Sequence, residues 1–391
     1  MVLVLVLVVL VLLVLHPPAE GDTSPITCYN DQGAAVDWFY LYKLPQHACK
    51  GCTGLQYLLM EKGSEGWAEG KADVNSTAGA PGRTVGQLYG RQQNQEVAYI
   101  LYNDQAPPHP SGAPGLGAVG RSGGHTKGVV LLDKTQGFWL VHSTPNFPPW
   151  RAAGQYSYPS TGEKKGQSFL CVTYPLERFQ TIGEQLLINQ PKVYDCDVPP
   201  SLATAVPALA SLCKHSTPAN HVFPHVKPMT NRSVTLTSIG GTDFLDFAKG
   251  ASFQNDLYSS WVAPTLQSHL LVQFWKCSSG VLPSECSTAW KVLDIKHIQL
   301  GQMFQFSSSI DHSKWAVSTR APGSRWGPGS RGGGGWVCVG DINRNMAEEK
   351  RGGGTVCLQD PAVWKAYRSA AVQCTDCSGG TTCDVPPNFN S

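Results

Sequence analysis

Two short segments, one in each half of a 391-residue chain, place a histidine and a lysine two residues apart: Gly124-His125-Thr126-Lys127-Gly128 and Asp311-His312-Ser313-Lys314-Trp315. In extended backbone, residues i and i+2 share a face, so each copy projects an imidazole and an ammonium group together. A single His-x-Lys is commonplace on a solvated surface. Two copies, each followed by a polar turn ending in asparagine (His142-Ser143-Thr144-Pro145-Asn146 and Gly340-Asp341-Ile342-Asn343), point to a duplicated site. The chemistry that suits such a set is phosphoryl transfer without a metal. One neutral imidazole attacks phosphorus to give a phosphohistidine, while the imidazolium opposite protonates the departing oxygen. Two lysines bracket the non-bridging oxygens, the part divalent metals play elsewhere, and water activated by the second histidine completes the cycle. The two histidines must hold opposite protonation states, and with an unperturbed pKa near ~6.5 this arises most readily in mildly acidic surroundings.

The elements around these segments read as strands. Apolar, β-rich runs occur at Trp38 to Leu44, Val97 to Asn103, Val129 to Asp133 and Phe138 to Ser143, with a Pro- and Gly-dense loop at Ala106 to Gly124. Leu176, Phe179, Ile182 and Leu186 carry helical spacing. In the second half, Val234 to Ile239 and Leu270 to Trp275 read as strands, and Phe244, Phe247, Leu257 and Trp261 as a helical region. Asp360-Pro361 supplies an N-cap and an N1 proline for a last helix, Pro361 to Val372. The chain divides into an N-terminal half over 22–190, a connecting segment over 191–228 and a C-terminal half over 229–391. Arg320 to Gly335 is low-complexity and basic, a surface loop whose three arginines could also touch a phosphate backbone.

Composition and compartment agree with a secreted globular protein. Charged residues make up only 15% of the chain and 41% is apolar, which excludes a coiled coil or wholesale disorder. The net charge of +2 announces no polyanion at pH 7, but protonating all 11 histidines would take it to +13. Met1 to Leu15 is apolar yet too short to span a bilayer, so residues 1–21 are expected to be a cleaved signal peptide and no membrane anchor is expected. Thirteen cysteines then imply disulfides, the odd count leaving at least one thiol over or paired between chains. The pairs Cys49/Cys52 and Cys374/Cys377 lie too far apart in the chain for a zinc ribbon and read as disulfide cysteines. Sequons at Asn75 and Asn231 fit the secretory route.

The segments VDWFYLYKLP, LYNDQ, GHTKGVVLLD, QGFWLVHSTPNFP, DHSKW, VGDINRN and RGGGTVC together resemble the deoxyribonuclease II family of the phospholipase D superfamily, from about Thr27 to Cys374. The resemblance implies a mixed α/β fold, a pseudodimer of two related halves, each a mixed sheet flanked by helices, with one active site at their junction. It implies an acid endonuclease that cleaves double-stranded DNA to 3′-phosphate ends, needs no cofactor or metal, and resides in the lysosome or is secreted. By position, His125, Lys127, His312 and Lys314 are the catalytic set. His142 matches a position associated with activity, and Asn146 and Asn343 match residues that contact phosphate or order its surroundings. Cys28 with Cys171, Cys286 with Cys374 and Cys338 with Cys357 match the family disulfides, with Cys377 competing for the place of Cys374. The chain departs from the superfamily pattern His-x-Lys-x4-Asp: Asp133 comes one residue late, and Lys314 has no acid at that spacing. Ala316 stands where the family pattern has Cys, Cys196 and Cys213 resemble the beta-type enzyme, and the 320–335 insertion and Cys49/Cys52 match neither type. A lipid- or sugar-directed phosphodiesterase, and a secreted DNA-binding protein without turnover, are the alternatives.

Overall fold

The unbroken apolar runs become strands buried on both faces, which is why they show no alternation. Every residue of Trp38–Lys43, Ala98–Asn103 and Lys127–Leu132 is buried. The structure is a computed structural model that describes residues 24–90, 96–112, 123–215, 229–323 and 334–385. The expected signal segment 1–21 and most of the 320–335 insertion lie outside the described residues, as does 216–228.

Two large sheets result. In spatial order the first contains Val193–Asp197, Ala98–Asn103, Lys127–Leu132, Gln136–His142, Gln167–Pro175, Trp38–Lys43, Tyr57–Glu61 and Ala68–Glu69. The second contains Asn231–Thr237, Asp243–Lys249, Gly353–Gln359, Trp336–Gly340, Trp315–Ser318, Leu270–Gln273, Val292–Leu300 and Phe304–Ser307, with Ala371–Thr375 also paired to Val292–Leu300. The duplication is visible in the path of the chain. In each sheet a strand that follows directly on His-x-Lys runs through an antiparallel meander of three strands and then enters a helix, Arg178–Asn189 in one case and Pro361–Ala370 in the other. The fold is thus the expected pairing of two mixed halves. The edge strand Val193–Asp197 of the first sheet is drawn from the segment 191–228.

Both helices form as their spacing dictates. Phe179, Ile182 and Leu186 are buried on one face of the first. Asp360 caps the second, its Oδ1 accepting from the backbone N–H groups of Ala362 (2.9 Å) and Val363 (3.0 Å). These helices are shared between the sheets: one apolar cluster joins Tyr40 and Tyr42 of the first sheet, Phe244 and Trp315 of the second, and Ile182 and Tyr367 of the helices. Tyr367 packs edge-on against both Tyr40 (5.9 Å) and Trp315 (5.1 Å). Common burial of this kind fixes one half against the other.

Two expectations are corrected. Phe244 and Phe247 lie not on a helix but on the strand Asp243–Lys249, between Asn231–Thr237 and Gly353–Gln359. Their i, i+3 spacing imitates a helix because both faces of this strand are buried: Phe244 joins the core between the sheets and Phe247 the cluster on the far face. Leu257 and Trp261 do sit at a helical turn, Tyr258–Val262. Cys286 bonds Cys377 and not Cys374, which bonds Cys383 instead. The chain doubles back after the strand Ala371–Thr375, the Cys374 N–H donating to Thr381 O (3.1 Å), and this return brings Cys383 over the fully buried Cys374. Cys28–Cys171, Cys338–Cys357, Cys49–Cys52 and Cys196–Cys213 are also bonded, and Cys277 is the thiol left over. Asn75 lies exposed in a turn, and Asn231 begins a strand, half-buried. No helix among the described residues is long and apolar enough to cross a membrane.

Candidate active site

Each histidine is held by the other half of the molecule. The His125 N–H donates to Gly352 O and the His312 N–H to Gly166 O, both at 2.8 Å. Gly166 and Gly352 immediately precede the third meander strand of their own sheets, so the two contacts are the same contact made twice in opposite directions. Glycine is required at both: a Cβ on Gly166 would stand 2.1 Å from Asp311 Oδ1, and one on Gly352 2.0 Å from Asn189 O. A buried lysine anchors each of these loops. Lys43, opposite Gln167, donates from Nζ to Glu163 O (2.8 Å) and Lys165 O; Lys249, opposite Gly353, donates to the carbonyls of Glu348 (2.9 Å), Glu349 (3.1 Å) and Arg351 (2.7 Å). Burial pushes the Lys43 ammonium down to about 7 and that of Lys249 to about 8, against the pull of nearby carboxylates.

The two His-Lys pairs meet at the junction, where Lys314 acts on His125 and Lys127 on His312, and their surroundings differ. His125 has a carboxylate on each side of its ring, Asp104 Oδ2 at 3.6 Å from Nε2 and Glu348 Oε1 at 3.5 Å from Nδ1. Asp104 also pairs with Lys127 and with Arg351 (3.2 Å), and Arg351 pairs with Glu348 (3.2 Å). Burial favours the neutral Asp104 carboxyl, but Lys127, His125 and Arg351 hold it well below the usual carboxylate range. Burial raises Glu348. Among the described residues no carboxylate pairs directly with His312, and Asp104 acts on it only from a distance. The His312 Nδ1 lies 3.0 Å from Ser143 O, Lys314 Nζ stands 3.1 Å from the same nitrogen and donates to the His312 carbonyl (2.7 Å), and Trp275 packs against the ring at 5.5 Å. Burial first, then the neighbouring lysines, holds both histidines well below the ordinary value. Lys314 is lowered by burial and by Lys127.

Sheet register explains this asymmetry. Asn103 is opposite Lys127 in the first sheet, and Gln273 is opposite Trp315 in the second, so Trp275 occupies the place in its half that Asp104 occupies in the other. One half supplies an acid to its His-Lys pair where the other supplies an indole.

The remaining expected residues lie nearby in supporting positions. His142 is fully buried between Phe147 (5.1 Å) and Phe169 (5.7 Å), its Nδ1 accepting from Thr144 N–H (3.2 Å). Asn146 is spent on the loop wall, donating to Gln105 O (3.2 Å) and Ala106 O (3.0 Å) and accepting from Thr161 (3.1 Å). Asn343 Oδ1 accepts from Trp275 N–H (3.1 Å) and so fixes the backbone under the indole. Asp133 closes its own hairpin through Thr135 and Gln136. Sequence reading did not single out Asp104, Glu348, Arg351 or Trp275. Asp104 and Arg351 sit in the quoted LYNDQ and RGGGTVC, but Glu348 lies in none of the quoted segments. Among the described residues no group of three or more His, Cys, Asp or Glu could hold a metal ion.

A family model for Deoxyribonuclease II matches residues 27–377. The chain belongs to the deoxyribonuclease II family. Its relatives include the Deoxyribonuclease-2-alpha of Mus musculus, 42% identical over 94% of this chain and 97% of that protein. The Deoxyribonuclease-2-beta of Homo sapiens is 36% identical over 90% and 92%. Plancitoxin-1 of Acanthaster planci, at 33% identity over 93% and 96%, is a further member of the set.

Proposed function

We propose that this protein is an acid, metal-independent endonuclease that hydrolyses double-stranded DNA to 3′-phosphate ends through a phosphohistidine, and that it works in the lysosome or outside the cell. The observation that carries the reading is the reciprocal mounting of His125 and His312, each by the loop of the other half, with a lysine beside each. His125 attacks the phosphodiester phosphorus through one ring nitrogen while a carboxylate flanks the other, and the phosphorus–O5′ bond breaks. Asp104 and Glu348 stabilise the positive charge that the ring gains on phosphorylation. His312, protonated, gives its proton to O5′ and becomes the neutral base that draws a proton from water. That water then attacks the phosphohistidine, releasing a 3′-phosphate and restoring neutral His125. Lys127 and Lys314 balance the charge on the non-bridging oxygens.

The pH behaviour follows from the same contacts. His312 must be protonated as DNA binds, and burial and the lysines depress its pKa, so the productive form is lost as pH rises before the ordinary histidine range is reached. Activity belongs on the acid side. The test is supercoiled plasmid at pH 5 in excess EDTA: nicking with 3′-phosphate termini is expected. Activity that vanishes in EDTA and returns with magnesium, or an optimum at pH 8, refutes the proposal.

A further inference from the structure

The place where the halves differ most is also where the site opens. Most of the catalytic set is sealed, with Lys127 and Lys314 inaccessible to solvent, but His312, Trp275 and Lys165 are partly exposed. Trp275 comes from the second half and Lys165 from the first. The Lys165 ammonium lies over the indole, 4.8 Å from its centre, and donates to Ser309 O (3.3 Å), while the same indole packs against His312. An exposed cation–aromatic contact is weak, about 0.5–1 kcal/mol, and so is readily exchanged. Because Trp275 replaces the acid that Asp104 provides in the other half, this side of the site offers an anionic strand an apolar face and a positive charge, with no carboxylate among the described residues paired to Trp275 or Lys165.

We propose that Trp275 and Lys165 form a binding subsite for the nucleotide on the leaving-group side of the cleaved bond: the indole stacks on its base and the lysine, released from the ring, takes the following phosphate. This rests on the reading of the site as a nuclease in which His312 protonates O5′. The nucleotide whose O5′ departs is then the one that lies beside Trp275. Base–aromatic stacking is sequence-tolerant, and a phosphate contact carries no sequence information, so the subsite would position DNA without selecting a sequence.

The test pairs Trp275→Ala with an end-labelled oligonucleotide carrying one abasic nucleotide. In the wild type, cleavage of the bond just 5′ of the abasic nucleotide should fall about tenfold relative to its neighbours, since stacking contributes roughly 1–3 kcal/mol per base. Trp275→Ala should slow all other bonds by about the same factor and erase the abasic effect, whereas Trp275→Phe should keep it. Abasic discrimination that persists in Trp275→Ala overturns the proposal, as does its absence in the wild type. Affinity for the intact oligonucleotide, measured by anisotropy in the His125→Ala background, separates this inference from the nuclease reading. Trp275→Ala should weaken binding about tenfold, and Lys165→Ala should reduce the salt dependence by about one phosphate contact. Unchanged affinity sinks the subsite whether or not the wild type cleaves DNA, while failure of the wild type to cleave sinks the nuclease reading alone.

Discussion

Replacing Asp104 by Asn removes the permanent negative charge of the site while leaving its shape. Asp104 Oδ2 stands 3.6 Å from His125 Nε2. At an effective dielectric of about 20, a unit charge pair at this distance interacts by about 5 kcal/mol. Lys127 and Arg351 share the same carboxylate, so we assign about 2 kcal/mol to the charge that develops on His125, or about 30-fold in kcat. The sign on binding is opposite: one fewer negative charge beside an anionic substrate should lower KM. Because its neighbours hold Asp104 well below the usual carboxylate range, the kcat loss should be nearly constant from pH 4 to 7. Glu348→Gln provides the contrast. Burial raises that carboxyl, so the amide should mimic it better at the acid end than near neutrality, and the deficit should grow as pH rises. Steady-state kinetics on a labelled oligonucleotide across that pH range decide the matter. An Asp104→Asn kcat within threefold of wild type, or a KM that rises as kcat falls, refutes the account.

Further predictions concern the remaining groups. His125→Ala and His312→Ala should each abolish turnover, and Lys127→Ala or Lys314→Ala should cost on the order of 100-fold; near-native cleavage by either folded histidine variant defeats the two-histidine cycle. Non-reducing peptide mapping should recover Cys286–Cys377 and Cys374–Cys383, and a Cys286–Cys374 peptide would contradict the fold of the C-terminal return. Asp246 is fully buried against Gln185 Nε2 (2.7 Å) and pushed up to about 7 by that burial. With its folded pKa raised, its stabilising contribution is complete below the ordinary carboxylate value and lost as pH climbs through about 7. Asp246→Asn should therefore raise Tm at pH 7.5 relative to wild type and change it little at pH 4; equal destabilisation at both would refute this.

How far the sequence was legible follows from the range of the interactions. His125, Lys127, His312 and Lys314 could be read because i, i+2 spacing in extended backbone is a local property. The strands around Trp38 and Val129 could be read because burial on both faces leaves an unbroken apolar run. Phe244 and Phe247 misled for the same reason, since a doubly buried strand and a helix face can show one spacing. What could not be read was anything fixed by pairing across the junction. The carboxylates that flank His125 come from two different halves, and Glu348 is placed by the three carbonyl contacts of a lysine 99 residues away. The superfamily pattern His-x-Lys-x4-Asp left the acid open here: Asp133, one residue late, is consumed by its own turn, while Asp104, just past the end of the neighbouring strand, reaches the ring. The duplication itself supplies the link: once the register aligns Asp104 with Trp275, equal halves with unequal neighbours become a reason for two histidines to do different work. A pair of identical environments would leave nucleophile and acid to be distinguished by the substrate alone. Here carboxylates back the ring that must carry a phosphoryl group, and an indole and a carbonyl back the ring that must give up its proton.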